Sequence, residues 1–475
     1  MSVFGIDFGT TNSAAVKISA QGERHKYGDE TGRPMPSIVA IDKATGEIIG
    51  GREVWENREK YAESPHHHLV QSVKLKLGTN ETWQTEDGVK TPEHIAAWIF
   101  CALSDRAMKL GLEPITNAAI TIPVDFPAGA RTVLRRAAEL AGIKVNGFVT
   151  ESTAALMKYY LELQHCRHIA VFDWGGGTLD VSILELRNKK VSELAIDGMD
   201  LAGDSIDNEV ARSVHEIIMQ QRGESIAFDA MSAVDKDTLR TKCEQAKCDF
   251  ERKAELDLIL TSYGGRPAVI RGLRRDWFES IIVTYVDLAI DLLARTMEKA
   301  KLRPEDVNRL LIIGGTARLR LLHEKLRNDP RFSAALQPAN DAEWDVAIGA
   351  AILQKAEGGY ETSESIGLVL SDNSYYELIP PDFSVKHLRH SLTLSLIEDA
   401  PQANIVLAKK DGRHRSFEEI LAFGVDTLGF DLEAILITYE VTPDLVFKLQ
   451  AESKAVGVRS RQVRQYGALR FSYHL

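Results

Sequence analysis

The sequence predicts an α/β protein of two similar lobes, followed by a small all-β domain. Over most of the 475-residue chain, apolar runs of strand type alternate with helical stretches, which indicates layered sheets with helices on their faces. Two segments there, VFGIDFGTTNSAAVKI and IAVFDWGGGTLDVSIL, repeat one pattern, and this repetition predicts two similar lobes. From Ser365 onward, short strands with period-two alternation replace the helices and predict a sandwich-like domain.

Apolar periodicity places the individual elements. Strands are predicted near 3–8, 14–18 and 37–41 and at AAITIPV, and helices near 92–110, 130–142, 204–222, 235–255, 276–300 and 317–327. In the second part, strands are predicted at SIGLVL, SYYELIP, SLTLSLIE, NIVLAKK, AILITYEV and LVFKLQAES. The pattern changes near EGGYETSES, which sets the boundary between the two parts at about 357–364.

Composition and charge argue against several classes of protein. The net charge of −11 disfavours a general nucleic-acid binder, because neutralising phosphates requires an excess of lysine and arginine. No run of eighteen apolar residues is present and Met1 leads directly into a strand, so we expect neither a membrane span nor a signal peptide. Four cysteines are too few for a disulfide framework, and we expect a cytoplasmic protein.

Each repeated segment joins two apolar runs through an aspartate and a glycine-rich turn. The first contains Asp7, Gly9, Thr10, Thr11 and Asn12, and the second contains Asp173, Gly175, Gly176, Gly177, Thr178 and Asp180. Such turns offer backbone N–H groups to an anion, and an aspartate offers a hard oxygen ligand to Mg²⁺. Two copies far apart therefore predict two half-domains that hold one nucleotide.

A third glycine turn, LLIIGGTARL, follows another apolar strand. Gly314 and Gly315 would let a base or ribose lie against the backbone. A lone pair of glycines is more often only a tight turn, but the two preceding loops strengthen this prediction. Walker A, GxGxxG and protein-kinase signatures are absent, so P-loop and Rossmann folds lose their main support.

Six segments in this order resemble the nucleotide-binding domain of the heat-shock seventy (DnaK-type) chaperones. They are GIDFGTTNS, TESTAALMKYY, FDWGGGTLDVSIL, DLAGDSIDN, LRTKCEQAK and IIGGTARL. The resemblance implies an actin-like ATPase of two duplicated ribonuclease-H-like lobes over 1–357, split near residue 185. It further implies a linker over 358–364, here polar, and a truncated β-sandwich-like substrate- or partner-binding domain without a helical lid over 365–475.

The same resemblance implies roles around the phosphates of ATP. Asp7 and Asp173 would hold Mg²⁺, while the two glycine-threonine loops would bind the phosphates. The implied catalytic residues are Lys74, Glu151, Asp173, Thr178 and Asp180. A positive charge at Lys74 would stabilise the charge that spreads during phosphoryl transfer, although a lone lysine is more often a solvated surface residue.

Adenosine would be bound by residues from three further segments, namely Gly203, Glu244, Lys247, Gly314, Gly315, Thr316 and Arg318. Glu244 and Lys247 are three positions apart on one helix face and could reach the ribose hydroxyls together. Cys248 replaces the second arginine that stacks on adenine in the family, and a thiol cannot stack as a guanidinium does. We therefore expect ATP binding that is weaker or less selective for adenine.

The chain departs further from the family outside the nucleotide site. Pro123 and Arg131 match the family's residues that relay nucleotide state to the neighbouring domain. The alternative, given equal weight, is that they are only a proline at a strand end and an arginine on a helix surface. The linker EGGYETSES is polar and is expected to stay in solvent. Ser371 and Ile397 would arch over a bound peptide, and Asn404 would discourage a buried leucine in the central pocket.

Two functions follow as alternatives. The first is a chaperone ATPase that couples ATP hydrolysis to a protein client, with a J-domain co-chaperone and a nucleotide-exchange factor and without nucleic acid or membrane. The second is a nucleotide-dependent scaffold with little turnover. A sugar kinase is disfavoured by the β-domain. The intact Asp7, Lys74, Glu151 and Asp173 favour the first, whereas Cys248 and the linker favour the second.

Overall fold

The computed structural model describes residues 3–337, 343–355, 359–385, 389–411, 416–429, 432–455 and 460–474. Two large sheets carry the first part of this mixed α/β chain, and two four-stranded sheets carry the second. Residues 357 and 358, at the predicted domain boundary, lie outside the described residues. No helix in the described ranges is long and apolar enough to span a bilayer.

The first lobe is built on a sheet whose main strand order is β11-β10-β1-β2-β3. The strands of the first lobe, in this sheet and in two smaller ones, are β1 (Val3–Phe8), β2 (Asn12–Ile18), β3 (Arg24–Tyr27), β4 (Met35–Pro36), β5 (Val39–Asp42), β6 (Ile48–Gly50), β7 (His67–Val70), β8 (Trp83–Thr85), β9 (Gly88–Lys90), β10 (Asn117–Ile122) and β11 (Lys144–Thr150). Its helices are α1 (Arg52–Glu56), α2 (Arg58–Glu63), α3 (Val73–Lys76), α4 (Pro92–Lys109), α5 (Ala128–Leu140), α6 (Glu151–Lys158) and α7 (Tyr160–Leu163). Apolar residues of β1 and α4 are buried together, which fixes the end of β1, where Asp7 lies.

The second lobe contains a seven-stranded sheet of order β18-β17-β12-β13-β14-β28-β19. Its elements up to residue 355 are β12 (His168–Trp174), β13 (Leu179–Arg187), β14 (Lys190–Met199), α8 (Gly203–Arg222), α9 (Ala233–Phe250), β15 (Glu255–Tyr263), β16 (Arg266–Arg274), α10 (Arg275–Lys299), β17 (Arg309–Ile313), α11 (Arg320–Asn328), β18 (Leu336–Gln337) and α12 (Asp345–Lys355). Helix α12 returns to the first lobe and packs against β1 and α6. A β-carbon on Gly349 of α12 would lie 1.7 Å from the carbonyl oxygen of Ala154, so only glycine permits this packing.

The remaining strands form two packed sheets, ordered β21-β20-β23-β24 and β22-β25-β26-β27. These strands are β20 (Glu364–Val369), β21 (Tyr375–Ile379), β22 (Arg389–Ser395), β23 (Gln402–Asp411), β24 (Glu418–Asp426), β25 (Ala434–Val441), β26 (Phe447–Ser453) and β27 (Arg461–Tyr466). Their inward side chains, among them Leu407, Val425 and Ile437, share one buried core. We call this unit the β-domain.

The segment expected to stay in solvent forms a strand instead. Strand β19 (Gly359–Thr362) pairs with β28 (Phe471–His474), and β28 pairs with β14 of the second lobe. The reason is Tyr360, whose ring packs edge-on against Phe471 and Tyr473 at centroid distances of 6.1 and 5.0 Å. One aromatic side chain thus gives this otherwise polar segment a partly buried position.

Two further differences concern the end of one helix and the presence of two additional strands. The helix predicted to reach residue 255 ends at Phe250, and the hairpin of β15 and β16 follows it. Strands β24 and β27 were not among the predicted strands: β24 opens with two glutamates, and two of the six residues of β27 are arginine. Both strands nevertheless pair along the β-domain sheets, where the other strands supply the partners that local sequence does not reveal.

Candidate functional site

The two repeated loops meet face to face between the lobes. The first loop joins β1 to β2, and the second joins β12 to β13. A β-carbon on Gly176 would lie 2.0 Å from Oγ1 of Thr11, and one on Gly177 would lie 2.9 Å from Cγ2 of Thr10. Glycine is therefore required where the two loops approach each other. The structure brings together the residues that the sequence assigned to phosphate binding, including Gly9, which lies against Asn12 in the first loop.

Beside the loops, a lysine–carboxylate pair is held among further acidic groups. Nζ of Lys74, which is 4% exposed, lies 2.5 Å from Oε1 of Glu151. Thr121 donates a hydrogen bond to Oδ1 of Asp7 at 3.1 Å. Burial acts to lower the pKa of Lys74, but the charges of Glu151 and Asp7 outweigh it and raise the pKa. The ammonium is thus kept charged in a water-poor cleft.

The acidic groups repel one another at this site. Burial, reinforced by the charge of Glu151, raises the pKa of Asp7 to about 7. The same two causes raise the pKa of Asp173 well above its ordinary value. A divalent cation would relieve this repulsion, so the donor chemistry fits Mg²⁺, which usually takes one or two carboxylates and keeps several waters. In the described ranges, no three His, Cys, Asp or Glu residues are grouped as ligands of one metal ion.

Thr178 and Asp180 form one hydrogen-bonded unit at the start of β13. Oγ1 of Thr178 donates to Oδ2 of Asp180 at 2.8 Å. Asp180 pairs across the strands with Asp173, which places both carboxyl groups at the same end of the sheet. Burial raises the pKa of Asp180 to about 6. Asp180 can therefore accept a proton or a hydrogen bond near neutral pH.

The third glycine turn packs against the second loop. Oγ1 of Thr316 donates to the carbonyl of Gly175 at 2.7 Å, and the backbone N–H of Gly203 donates to the same carbonyl at 3.1 Å. Gly314 has φ of 88°, and a β-carbon there would lie 2.5 Å from the carbonyl oxygen of Trp174. The start of α8, the second loop and the turn that includes Gly315 thus form one continuous wall of backbone.

Glu244 and Lys247 each have a partner that the sequence did not suggest. Nη2 of Arg58 donates to Oε2 of Glu244 at 2.7 Å, which links α2 of the first lobe to α9 of the second. Nζ of Lys247 donates to Oδ2 of Asp207 at 2.6 Å. Asp207 could have been found, because it follows Gly203 by one helical turn on α8. Nothing in the sequence near Arg58 or Glu244 predicted that these two residues would pair.

The side chain of Arg318 lies at the rim of the site and is 43% exposed. Its guanidinium forms an ion pair with Glu343, with Nη2 and Oε1 separated by 2.8 Å. Cys248 is exposed on α9. An exposed arginine and an exposed thiol therefore stand at the two positions from which the family resemblance implies stacking on adenine.

Arg131 is buried, not on the surface as one of the two alternatives held. Its guanidinium donates to five backbone carbonyls, those of Val124, Phe126, Asp444, Leu445 and Gly467. Three of these carbonyls belong to the β-domain side of the chain, and Arg135 adds an ion pair with Asp444. Helix α5 is therefore bound to the β-domain through two arginines, while Pro123 is partly buried before it.

The residues assigned to a peptide cleft are exposed. Ile397 is 66% exposed, and Ser371 lies in an exposed turn. Asn404 is exposed on β23, whereas its neighbours Ala403 and Ile405 face the core. Asn404 therefore lies on the outer face of its sheet, not in a buried pocket.

The fold and site together define a two-lobed protein with glycine-rich loops facing each other between the lobes and an attached β-sandwich. The family model described as Hsp70 protein matches residues 3–374. The chain therefore belongs to the Hsp70 family, and the resemblance inferred from the six segments is confirmed. Family membership implies actin-like ATPase lobes and a chaperone ATPase that binds ATP or ADP with Mg²⁺.

The chain is similar to several bacterial proteins named Chaperone protein DnaK. It is 28% identical to that of Thermosipho africanus over 97% of this chain and 79% of the relative. It is 28% identical to that of Thermotoga petrophila over 97% of this chain and 80% of the relative. The DnaK of Thermosipho melanesiensis is 27% identical over the same shares, 97% and 80%.

Proposed function

We propose that this protein hydrolyses ATP slowly at the cleft between its lobes and couples the reaction to binding of a protein client. The observation that carries the proposal is the buried Lys74–Glu151 pair between the acidic groups Asp7 and Asp173. A fixed positive charge in a water-poor cleft stabilises charge that develops on a transferred phosphoryl group. The family membership and the facing loops support the same assignment.

In the proposed reaction, water attacks the γ-phosphorus in line with the bond to the β–γ bridging oxygen, which breaks to release ADP. Asp180, held by Thr178, orients the water and accepts its hydrogen bond, while Lys74 faces the γ-phosphoryl oxygens. Mg²⁺ held by Asp7 and Asp173 would neutralise the polyphosphate charge. Glu151 keeps Lys74 in position.

Nucleotide binding at this cleft must separate the two loops. Thr11 and Gly176 are in van der Waals contact, and a phosphate between them needs room on both sides. We therefore propose that ATP moves the lobes relative to each other, and that clients, a J-domain co-chaperone and an exchange factor in the cytoplasm respond to this movement.

Single-turnover hydrolysis of radiolabelled ATP tests the enzyme assignment. Lys74→Ala should lower the rate about 100- to 1,000-fold, because the transition state loses a preorganised charge. Thr178→Ala should lower it less. Lys76→Ala is the matched control, because Lys76 lies on the same helix but pairs with Glu81 at the surface. Wild-type protein that hydrolyses ATP no faster than buffer would refute the proposal.

A second candidate is a nucleotide-dependent scaffold with little turnover and no general chaperone activity. The observation in its favour is that β19 and β28 join the β-domain to the sheet of the second lobe. Binding of an extended apolar peptide distinguishes the two functions. Affinity equal to that of a scrambled polar peptide would leave the scaffold as the better assignment.

A further inference from the structure

Glu193 lies on β14 of the second lobe and reaches toward the start of α6. Its Oε1 accepts hydrogen bonds from Oγ1 of Thr150 at 2.9 Å and from Oγ of Ser152 at 3.3 Å. Both hydroxyl groups are buried. These two residues stand immediately before and after Glu151, the partner of Lys74.

This arrangement fixes the backbone that carries Glu151. Thr150 is the N-cap of α6, where its hydroxyl also accepts from the N–H of Thr153. Because both neighbours of Glu151 are bonded to one carboxylate, the first turn of α6 cannot rotate without breaking two partly buried hydrogen bonds. The Oε1 of Glu151 is thereby held 2.5 Å from Nζ of Lys74.

Glu193 also faces a cavity of about 220 Å³ where the two lobes and the β-domain meet. The charged and titratable groups that line this cavity with it are Asp125, Arg131, Tyr360, Lys409 and Arg470. The cations have other partners: Arg131 binds five carbonyls, and Arg470 and Lys409 pair with Glu364. Among the described residues, no cation lies within 4.0 Å of Glu193, so its direct contacts are the two hydroxyls of α6.

We infer that Glu193 is a positioning residue for ATP hydrolysis, which sets Glu151 from the opposite lobe. The inference rests on the proposed ATPase function. It assigns to Glu193 no contact with nucleotide. Its effect passes through Thr150 and Ser152 to Glu151, and from Glu151 to Lys74.

Substitution of Glu193 in the full chain tests this role through two separate readouts. Glu193→Val removes the acceptor, whereas Glu193→Gln keeps an oxygen that can accept from Thr150. We expect Glu193→Val to lower the single-turnover rate about tenfold while ATP affinity stays within about twofold, and Glu193→Gln to restore most of the rate. Glu433→Val is the control, because Glu433 is a buried carboxylate that accepts from Ser453 far from the nucleotide site, within the β-domain.

The second readout does not need activity. Crystal structures of wild type and Glu193→Val should show the Lys74–Glu151 pair intact in the first and separated beyond 4 Å in the second. An intact pair in a folded Glu193→Val protein, or a rate equal to wild type, would overturn the inference. A wild-type protein without hydrolysis, but with a pair that opens in the variant, would refute the ATPase proposal and leave the positioning contact standing.

Discussion

Two buried carboxyl groups, Glu193 beside the β-domain and Asp7 in the cleft between the lobes, have pKa values raised in the same direction. Burial raises the pKa of Glu193 to about 7, and burial with the charge of Glu151 raises that of Asp7 to about 7. A carboxyl whose pKa is higher in the folded chain than in the unfolded chain binds more protons when folded. Each such group therefore makes folding less favourable as the pH rises from its unfolded pKa, near 4 to 4.5, to its folded pKa.

This loss of stability with rising pH gives a prediction for Glu193→Gln, since glutamine resembles the protonated acid and does not titrate. At pH 5 the variant and wild type should have similar free energies of unfolding. At pH 8 the variant should be more stable by roughly 3 kcal/mol, because wild type must then bury an ionised carboxyl. Urea unfolding at both pH values measures the difference. A variant that is equally destabilised at both values would show that Glu193 does not titrate as described.

At the scale of elements, helix α3 presents Lys74 from a strained start. Ser72, the residue before this helix, has φ of 53° and ψ of 40°, the left-handed conformation. Such strain in a residue other than glycine costs on the order of 1–3 kcal/mol and is retained where the surrounding structure determines it. The strain aims a helix of only four residues so that Lys74 points into the cleft.

Substitutions of Ser72 should separate strain from chemistry. Ser72→Gly should keep the hydrolysis rate and stabilise the fold slightly, because glycine adopts this conformation freely. Ser72→Val should lower the rate about tenfold, because a branched side chain resists positive φ and shifts Lys74. Single-turnover hydrolysis and thermal unfolding report the two effects. Equal rates for the glycine and valine variants would contradict this account.

The elements also show what sequence could and could not predict. The glycine-threonine loops were predictable, because each lies in one continuous segment with a recognisable pattern. Arg58 was not, because it meets Glu244 across 186 positions and only the packing of α2 beside α9 joins them. The prediction of a solvated linker was wrong for a similar reason, since the partial burial of Tyr360 depends on two aromatic residues of β28.

At the scale of the molecule, strand β28 belongs to two hydrophobic cores. Phe471 packs in the core of the β-domain, and Tyr473 packs in a core that lies between the two lobes' sheets and α12. The hydroxyl of Tyr473 donates to the carbonyl of Leu353 on α12 at 3.0 Å. The β-domain is thus held to the lobes by a strand as well as by Arg131 and Arg135.

Tyr473→Ala should lower the free energy that holds the β-domain against the lobes by about 3–5 kcal/mol, the usual cost of removing a large buried aromatic side chain. Limited proteolysis at residues 359–362 reports whether the β-domain has become detached. Wild type should resist cleavage with and without ATP, and the variant should be cut. Tyr376→Ala is the control, since Tyr376 lies in the β-domain but is 44% exposed. Cleavage of wild type that follows nucleotide state would instead indicate that β28 releases during the cycle.

The position of β28 has a practical consequence for anyone who isolates the two lobes without the β-domain. Strand β14 pairs with β13 on one side and, at Lys190, Val191 and Ser192, with β28 on the other, so a fragment that stops before residue 360 would leave these three residues at an open sheet edge. Open strand edges of this kind recruit other chains. We expect such a fragment to aggregate, and an added peptide with the sequence ALRFSYHL to restore its solubility by completing the sheet.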